Sequence, residues 1–162
     1  MKRTLLAAIL ITSGVLVLAG YGFSQMQSPY LARPFKSLGE QIYYTGIGGN
    51  GYPILFYGGP MWLRMHGGGC VSCHGINGRG GVPIMMGGRE LPTDIRYKVL
   101  IGKEKHLHEG KEEEHHYTEA LIKRAITQGL EEDGKVMDWT MPRWQMSEPD
   151  LNALIEYLKT LD

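Results

Sequence analysis

The 162-residue chain has only two cysteines, no net charge at neutral pH and no run of five like charges. Two cysteines exclude a scaffold of several disulfide bonds, so any cysteine chemistry lies at one place. The 17 basic side chains are balanced by 17 acidic ones, whereas a nucleic-acid interface needs a clustered basic excess. We therefore expect no nucleic-acid partner, and the length favours a single core.

Glycine, in contrast, is abundant, and most of the 23 glycines lie between Gly46 and Gly88. They follow no G-X-Y period, which excludes collagen. Between residues 45 and 69, glycine or proline interrupts the chain every few residues, so we predict a long loop with at most a short strand at 54–57. After the cysteines we expect a second glycine-rich stretch and then a short helix capped by Thr93.

The N-terminus has the order of an export signal. Lys2 and Arg3 precede an uncharged, mostly apolar stretch of about 20 residues, the length that crosses the hydrocarbon core as a helix. We predict that residues 1–28 are either a membrane anchor or a cleaved signal peptide, and both send the remainder across the membrane. Residues 29–36 are the predicted linker. The predicted domain, 37–162, then lies in the periplasm or on the extracytoplasmic face of the cytoplasmic membrane.

Helical periodicity and capping residues predict three clear helices of an all-α domain. Ser37 is the predicted N-cap of the first helix. Thr118 caps a second helix, which ends before Gly129 at the left-handed position. Ser147 caps the terminal helix, whose apolar face repeats every three or four residues. The polar run 103–116 is rich in histidine and glutamate, and we interpret it as a solvated loop.

Cys70, Cys73 and His74 lie in the sequence C-V-S-C-H, which is the attachment pattern of haem c. Two thiols three residues apart lie on one side of a helical turn, so each can add to one vinyl group of the porphyrin. The histidine that follows then reaches the iron as the proximal ligand. A redox dithiol would need a strand-to-helix context, and a zinc site would need two further ligands. We therefore predict one covalent haem c.

The iron needs a second axial ligand unless it is built to bind small molecules. Met141 is favoured because Pro142 follows it, and a residue before proline is pushed out of the helical region into an extended conformation. The Met141 side chain can then project from the loop before the terminal helix. The alternatives are an open site, another methionine or a histidine: Met85, Met86, Met137, Met146, His66, His106, His108, His115 or His116.

This layout resembles class I monohaem cytochromes c over roughly residues 37–162. The resemblance rests on G-x-x-x-Y at Gly39 and Tyr43, on C-V-S-C-H-G, on the M-P pair at Met141 and on a final helix that ends E-Y-L-K-T-L. It implies a small, all-α, cytochrome c-like helical domain around one covalent haem, with long glycine-rich loops. It also implies a close crossing of the first and last helices at Gly39.

In that family a proline carbonyl usually accepts the hydrogen bond of the proximal histidine. The resemblance therefore implies Pro92 as this cofactor-binding residue, with Pro83 as the other option. The glycine-rich insertion and the histidine-rich loop are additional to the family layout, and we interpret them as partner-docking features. A pool of side chains could bind the haem propionates: Arg89, Arg96, Trp139, Arg143 and Trp144. The apolar group of the insertion is expected to cover the haem or the core, or to form a docking face: Phe56, Tyr57, Met61 and Trp62.

These observations predict an electron carrier rather than an enzyme, with His74 and Met141 bound to the iron. We expect a membrane-anchored or exported carrier, or a haem subunit of a respiratory oxidoreductase, with redox proteins as partners and no small-molecule substrate. The alternative is a haem enzyme or gas-binding sensor with a labile distal ligand, although the sequence shows no distal acid–base constellation. A metal-binding module centred on the histidine-rich loop is a remoter interpretation.

Overall fold

The computed structural model describes residues 34–81, 83, 91–108 and 110–162. Residues from Phe35 onward form one compact unit. The predicted export segment 1–28 lies outside the described residues. Within the described part of the chain, no helix is long and apolar enough to cross a membrane.

Helices make up most of the regular structure in the described residues, as predicted, and two short antiparallel ladders accompany them. In each ladder two strands are paired: β1 with β4, and β2 with β3. The helices are α1 (Leu38–Thr45), α2 (Met61–His66), α3 (Val71–His74), α4 (Tyr97–Leu100), α5 (Glu119–Gln128) and α6 (Glu148–Leu158). The strands are β1 (Phe56–Tyr57), β2 (His106–His108), β3 (Lys111–Glu113) and β4 (Arg143–Trp144).

The three helices predicted from capping residues begin where the sequence placed them. The side-chain oxygen of Ser37 accepts the N–H of the third residue after it, and Thr118 and Ser147 do the same for α5 and α6. Gly129 ends α5 with φ +66°, and its N–H donates to the carbonyl of Ala125 at 2.9 Å. These bonds satisfy backbone groups that a helix end would otherwise leave open.

Helices α1 and α6 cross closely at Gly39, as the sequence resemblance implied. A Cβ atom at this position would lie 1.9 Å from the carbonyl oxygen of Ala153, so only glycine fits. Beside the crossing, the ring of Tyr43 is fully buried and its centroid lies 5.1 Å from that of Tyr157. This crossing supports the core beneath the candidate site.

The short strand predicted within 54–57 forms over two residues. Other local predictions were wrong, since α2 forms inside the insertion where we expected loop. Thr93 does not cap a helix, because α4 begins at Tyr97 after an N-cap, Arg96, that makes no side-chain cap bond. The polar run expected as a plain loop contains the β2–β3 hairpin.

Candidate functional site

A cavity of about 370 Å³ opens between α3, α5, α6 and the loop that precedes β4. Its size lies within the usual range for cofactor pockets. Cys70, Cys73 and His74 line it, and so does Met141. Much of the remaining wall is apolar: Leu63, Ile95, Leu100, Ile122, Ala125, Ile126, Trp144, Leu154 and Leu158.

The two thiols enter this cavity from the single turn of α3. Cys70 precedes the helix and Cys73 lies inside it, while the N–H of His74 donates to the carbonyl of Cys70 at 2.9 Å. Both cysteines are free. Burial raises the pKa of the Cys70 thiol to about 12 and also raises the pKa of Cys73. A reactive dithiol has a lowered pKa, so this environment argues against that alternative.

His74 is a buried, neutral imidazole with one fixed nitrogen. Burial lowers the pKa of His74, against the smaller opposing effects of the hydrogen bond to Thr93 and the charge of Asp94. Its Nδ1 lies 2.8 Å from the carbonyl oxygen of Thr93. Since a carbonyl only accepts, Nδ1 carries the proton and Nε2 keeps the lone pair that binds a metal.

The prediction that the Pro92 carbonyl binds the proximal histidine was wrong by one residue. Pro92 lines the cavity, but its carbonyl accepts the N–H of Gly81 at 2.8 Å. The next carbonyl, that of Thr93, therefore faces His74. A Cβ atom at Gly80 would lie 2.1 Å from the Pro92 oxygen, which shows how closely the turn after α3 approaches this segment.

Met141 lies in a turn built by Asp138. The Asp138 side chain accepts the N–H and hydroxyl of Thr140 at 2.9 and 2.7 Å, and the Asp138 carbonyl accepts the N–H of Met141 at 3.2 Å. Among the predicted alternatives, Met137 and His115 also line the cavity. Met85 and Met86 lie outside the described residues.

Most of the side chains predicted to bind the haem propionates make other contacts in the structure. Arg96 is buried and binds both carboxylate oxygens of Asp94, with Glu104 as a further partner at 3.2 Å. Arg143 binds backbone carbonyls, while the ring of Trp144 is buried against Phe56 with centroids 4.8 Å apart. Trp144 lines the cavity, Trp139 is half-exposed, and Arg89 lies outside the described residues.

The apolar group of the insertion does not cover the cavity as a unit. Tyr57 and Met61 are largely exposed, and the cavity wall takes Leu63 from this segment instead. Sequence reasoning also missed Thr93 as the partner of His74, and no sequence signal distinguished its carbonyl from that of Pro92. No three His, Cys, Asp or Glu side chains in the described ranges are grouped to hold a metal ion.

The residues present fit a covalently attached haem. Two free thiols one turn apart and a neutral imidazole line a cavity with mainly apolar walls, and a thioether lines the same cavity. This donor set, nitrogen and thioether, is one that haem iron takes in electron-transfer proteins.

Comparison with known proteins agrees with this geometry. Residues 65–162 match the family described as cytochrome c, and this range contains both cysteines, His74 and Met141. No curated protein and no solved structure matches the chain. Since the family match covers more than half of the sequence, the chain belongs to the cytochrome c family, with covalent haem c as its cofactor and haem-based electron transfer as its function.

Proposed function

We propose that this protein transfers electrons with His74 and Met141 as the two axial ligands of its haem iron. It acts as a membrane-anchored or exported carrier, or as the haem subunit of a respiratory oxidoreductase. The observation that carries the proposal is that the C-x-x-C-H residues and Met141 line one cavity. When bound, haem c supplies a one-electron ferric/ferrous couple, so no substrate chemistry is required.

On the proximal side, the backbone fixes the ligand. The hydrogen bond from His74 Nδ1 to the Thr93 carbonyl holds the ring in one orientation. It also makes Nε2 a stronger electron-pair donor to the iron. Cys70 and Cys73 hold the haem covalently in this proposal. Since the ligand follows the second cysteine directly, attachment and ligation are set by the same turn.

On the distal side, Met141 offers a neutral thioether. Such a ligand raises the reduction potential relative to a second imidazole. The apolar wall from α5 and α6 excludes water, which disfavours the more highly charged oxidised state. Both effects suit a carrier of relatively high potential.

The N-terminal sequence supports export. Lys2 and Arg3 before a long apolar stretch favour transfer of the domain to the periplasm or the outer face of the cytoplasmic membrane. The proposed partners are other redox proteins on that side of the membrane.

The ligation is tested with ferric spectra of the wild type, Met141→Ala and Met137→Ala. The last is a matched control, because Met137 lines the same cavity. We expect the weak sulfur-to-iron charge-transfer band in the wild type and in Met137→Ala, and its loss in Met141→Ala. A band that survives in Met141→Ala would refute Met141 as the ligand. Rapid carbon monoxide binding by the untouched ferrous protein would favour the enzyme or sensor alternative.

The location is tested separately by fractionating cells that express the full chain. We expect the haem protein in the membrane fraction, and its release into the soluble periplasm when residues 1–28 are replaced by a cleavable signal. A wild-type protein found soluble and shortened would show that the segment is removed.

A further inference from the structure

Arg143 donates hydrogen bonds to three carbonyls of the loop that carries Met141. Its Nη1 lies 3.0 Å from the carbonyl oxygen of Asp138 and also binds the carbonyl of Met141, while Nη2 lies 2.8 Å from the carbonyl oxygen of Met137. Met137, Asp138 and Met141 all line the cavity. One guanidinium therefore ties together the two ends of the cavity-lining turn.

The guanidinium is itself held in place. Its backbone belongs to β4, where Arg143 is paired with Tyr57 of β1. At the other end, Gly129 makes room for it, since a Cβ atom there would lie 2.1 Å from Arg143 Nε and 2.4 Å from Cζ. Arg143 is thus fixed by the strand pairing on one side and by the end of α5 on the other.

We propose that Arg143 is the positioning residue of the distal ligand: it holds the 137–141 turn so that Met141 stays over the iron. The inference rests on the ligation proposed above and adds a residue that the ligand motif does not contain. Arginine suits this role because its planar group presents five fixed N–H donors, whereas lysine has one flexible ammonium.

The turn therefore exchanges between a closed form, in which Met141 is bound to the iron, and an open form, in which it is not. Hydrogen bonds from a charged donor are among the stronger ones in proteins, so their loss raises the fraction of molecules in which Met141 has left the iron. An external ligand that competes with Met141 binds only the open form, and its apparent affinity rises with that fraction.

The test is an imidazole titration of the ferric holoprotein, in which binding is measured by the loss of the charge-transfer band. The variants are Arg143→Gln and Arg143→Lys, and the control is Arg124→Gln. Arg124 Nη2 makes the same kind of bond, to the carbonyl oxygens of Glu131 and Glu132 at 2.6 and 3.1 Å, in a neighbouring turn without a proposed ligand.

We expect imidazole to bind Arg143→Gln roughly tenfold to a hundredfold more tightly than the wild type. The imidazole affinity of Arg143→Lys should lie between those of the wild type and Arg143→Gln. Arg143→Lys is measured in place of Arg143→Gln if the glutamine variant does not accumulate. Arg124→Gln should bind imidazole like the wild type. Wild-type affinity in both Arg143 variants would overturn the positioning role, and so would an equal gain in Arg124→Gln. Absence of the band from the wild type would instead refute the Met141 ligation.

Discussion

The two sides of the haem cavity are held by different means. On the proximal side, His74 follows its cysteines within one turn, and its ring bonds to a backbone carbonyl in a segment that is itself tied by backbone bonds to residues 78–81. On the distal side, Met141 lies in a turn whose carbonyls converge on one long side chain, that of Arg143.

This difference separates stability from ligation. Damage to the proximal side should lower the free energy of unfolding of the whole domain, because the segment involved is part of the buried core. Loss of the Arg143 hydrogen bonds on the distal side should release the proposed ligand, Met141, while leaving most of the fold intact.

Arg96→Gln should have the largest effect on stability. Arg96 and Asp94 form a buried ion pair at 2.7 Å, with 6% and 5% of their side chains exposed, directly after Thr93. Removing one partner of such a pair leaves a buried charge, which costs about 3–5 kcal/mol. Denaturant unfolding of the holoprotein measures the cost, and Arg64→Gln, which removes one exposed carbonyl bond, is the control. A cost below about 1 kcal/mol, the value of an exposed ion pair, would show that the proximal segment contributes little to the stability of the domain.

Gly80→Ala and Gly81→Ala isolate the close approach behind the Thr93 carbonyl. Both glycines have φ near +70°, but a Cβ atom at Gly80 would meet the Pro92 and Thr93 oxygens, whereas at Gly81 it would meet nothing within 4 Å. We expect Gly80→Ala to be less stable than Gly81→Ala by about 1–3 kcal/mol, because both pay the same backbone strain and only one is overpacked. Equal unfolding midpoints would show that the approach is loose.

Gly129→Ala probes the distal side without substituting Arg143 itself. The control is Gly134→Ala, which also has positive φ but no atom within 4 Å of the added Cβ. Each variant should lose about 1–2 kcal/mol through left-handed strain. Only Gly129→Ala should also weaken the charge-transfer band, since its methyl group displaces the guanidinium. A band that is unchanged in both variants would show that Gly129 does not help to position the 137–141 turn.

Tyr43→Phe should have the smallest effect, about 1 kcal/mol at neutral pH, because it removes one hydrogen bond at 2.7 Å to the carbonyl of Gly75. Burial raises the pKa of Tyr43 above its usual value of 10.0. Above pH 10 the unfolded phenol therefore loses its proton while the buried one keeps it, so the free energy of unfolding falls as pH rises. Stability measured from pH 9 to 11 should fall less steeply in Tyr43→Phe, and equal slopes would contradict this burial.

The sequence predicted the parts of the molecule that depend on local chemistry. Ser37, Thr118 and Ser147 cap their helices because the bonding partner lies three residues away. The C-x-x-C-H residues meet within one turn for the same reason. The crossing at Gly39 was predicted only from the family resemblance, because its partner, Ala153, is far away in the sequence.

The rest depends on contacts that no local pattern records. The turn after α3 decides which carbonyl faces His74. Because the Gly81 N–H donates to the Pro92 carbonyl, the Thr93 carbonyl is the one that faces His74. The role of Arg143 depends on the pairing of β4 with β1, a strand in the glycine-rich insertion. Sequence reasoning therefore named the proposed ligands and missed the residues that position them.

One denaturant titration tests the comparison most directly: Arg143→Gln and Arg96→Gln are unfolded in parallel, with the charge-transfer band and the far-ultraviolet helix signal followed together. We expect Arg143→Gln to lose the band at a much lower denaturant concentration than its helix signal, whereas Arg96→Gln should lose both at one lowered midpoint. Coincident loss in Arg143→Gln, or early loss of the band in Arg96→Gln, would contradict the assignment of ligation to one side and stability to the other.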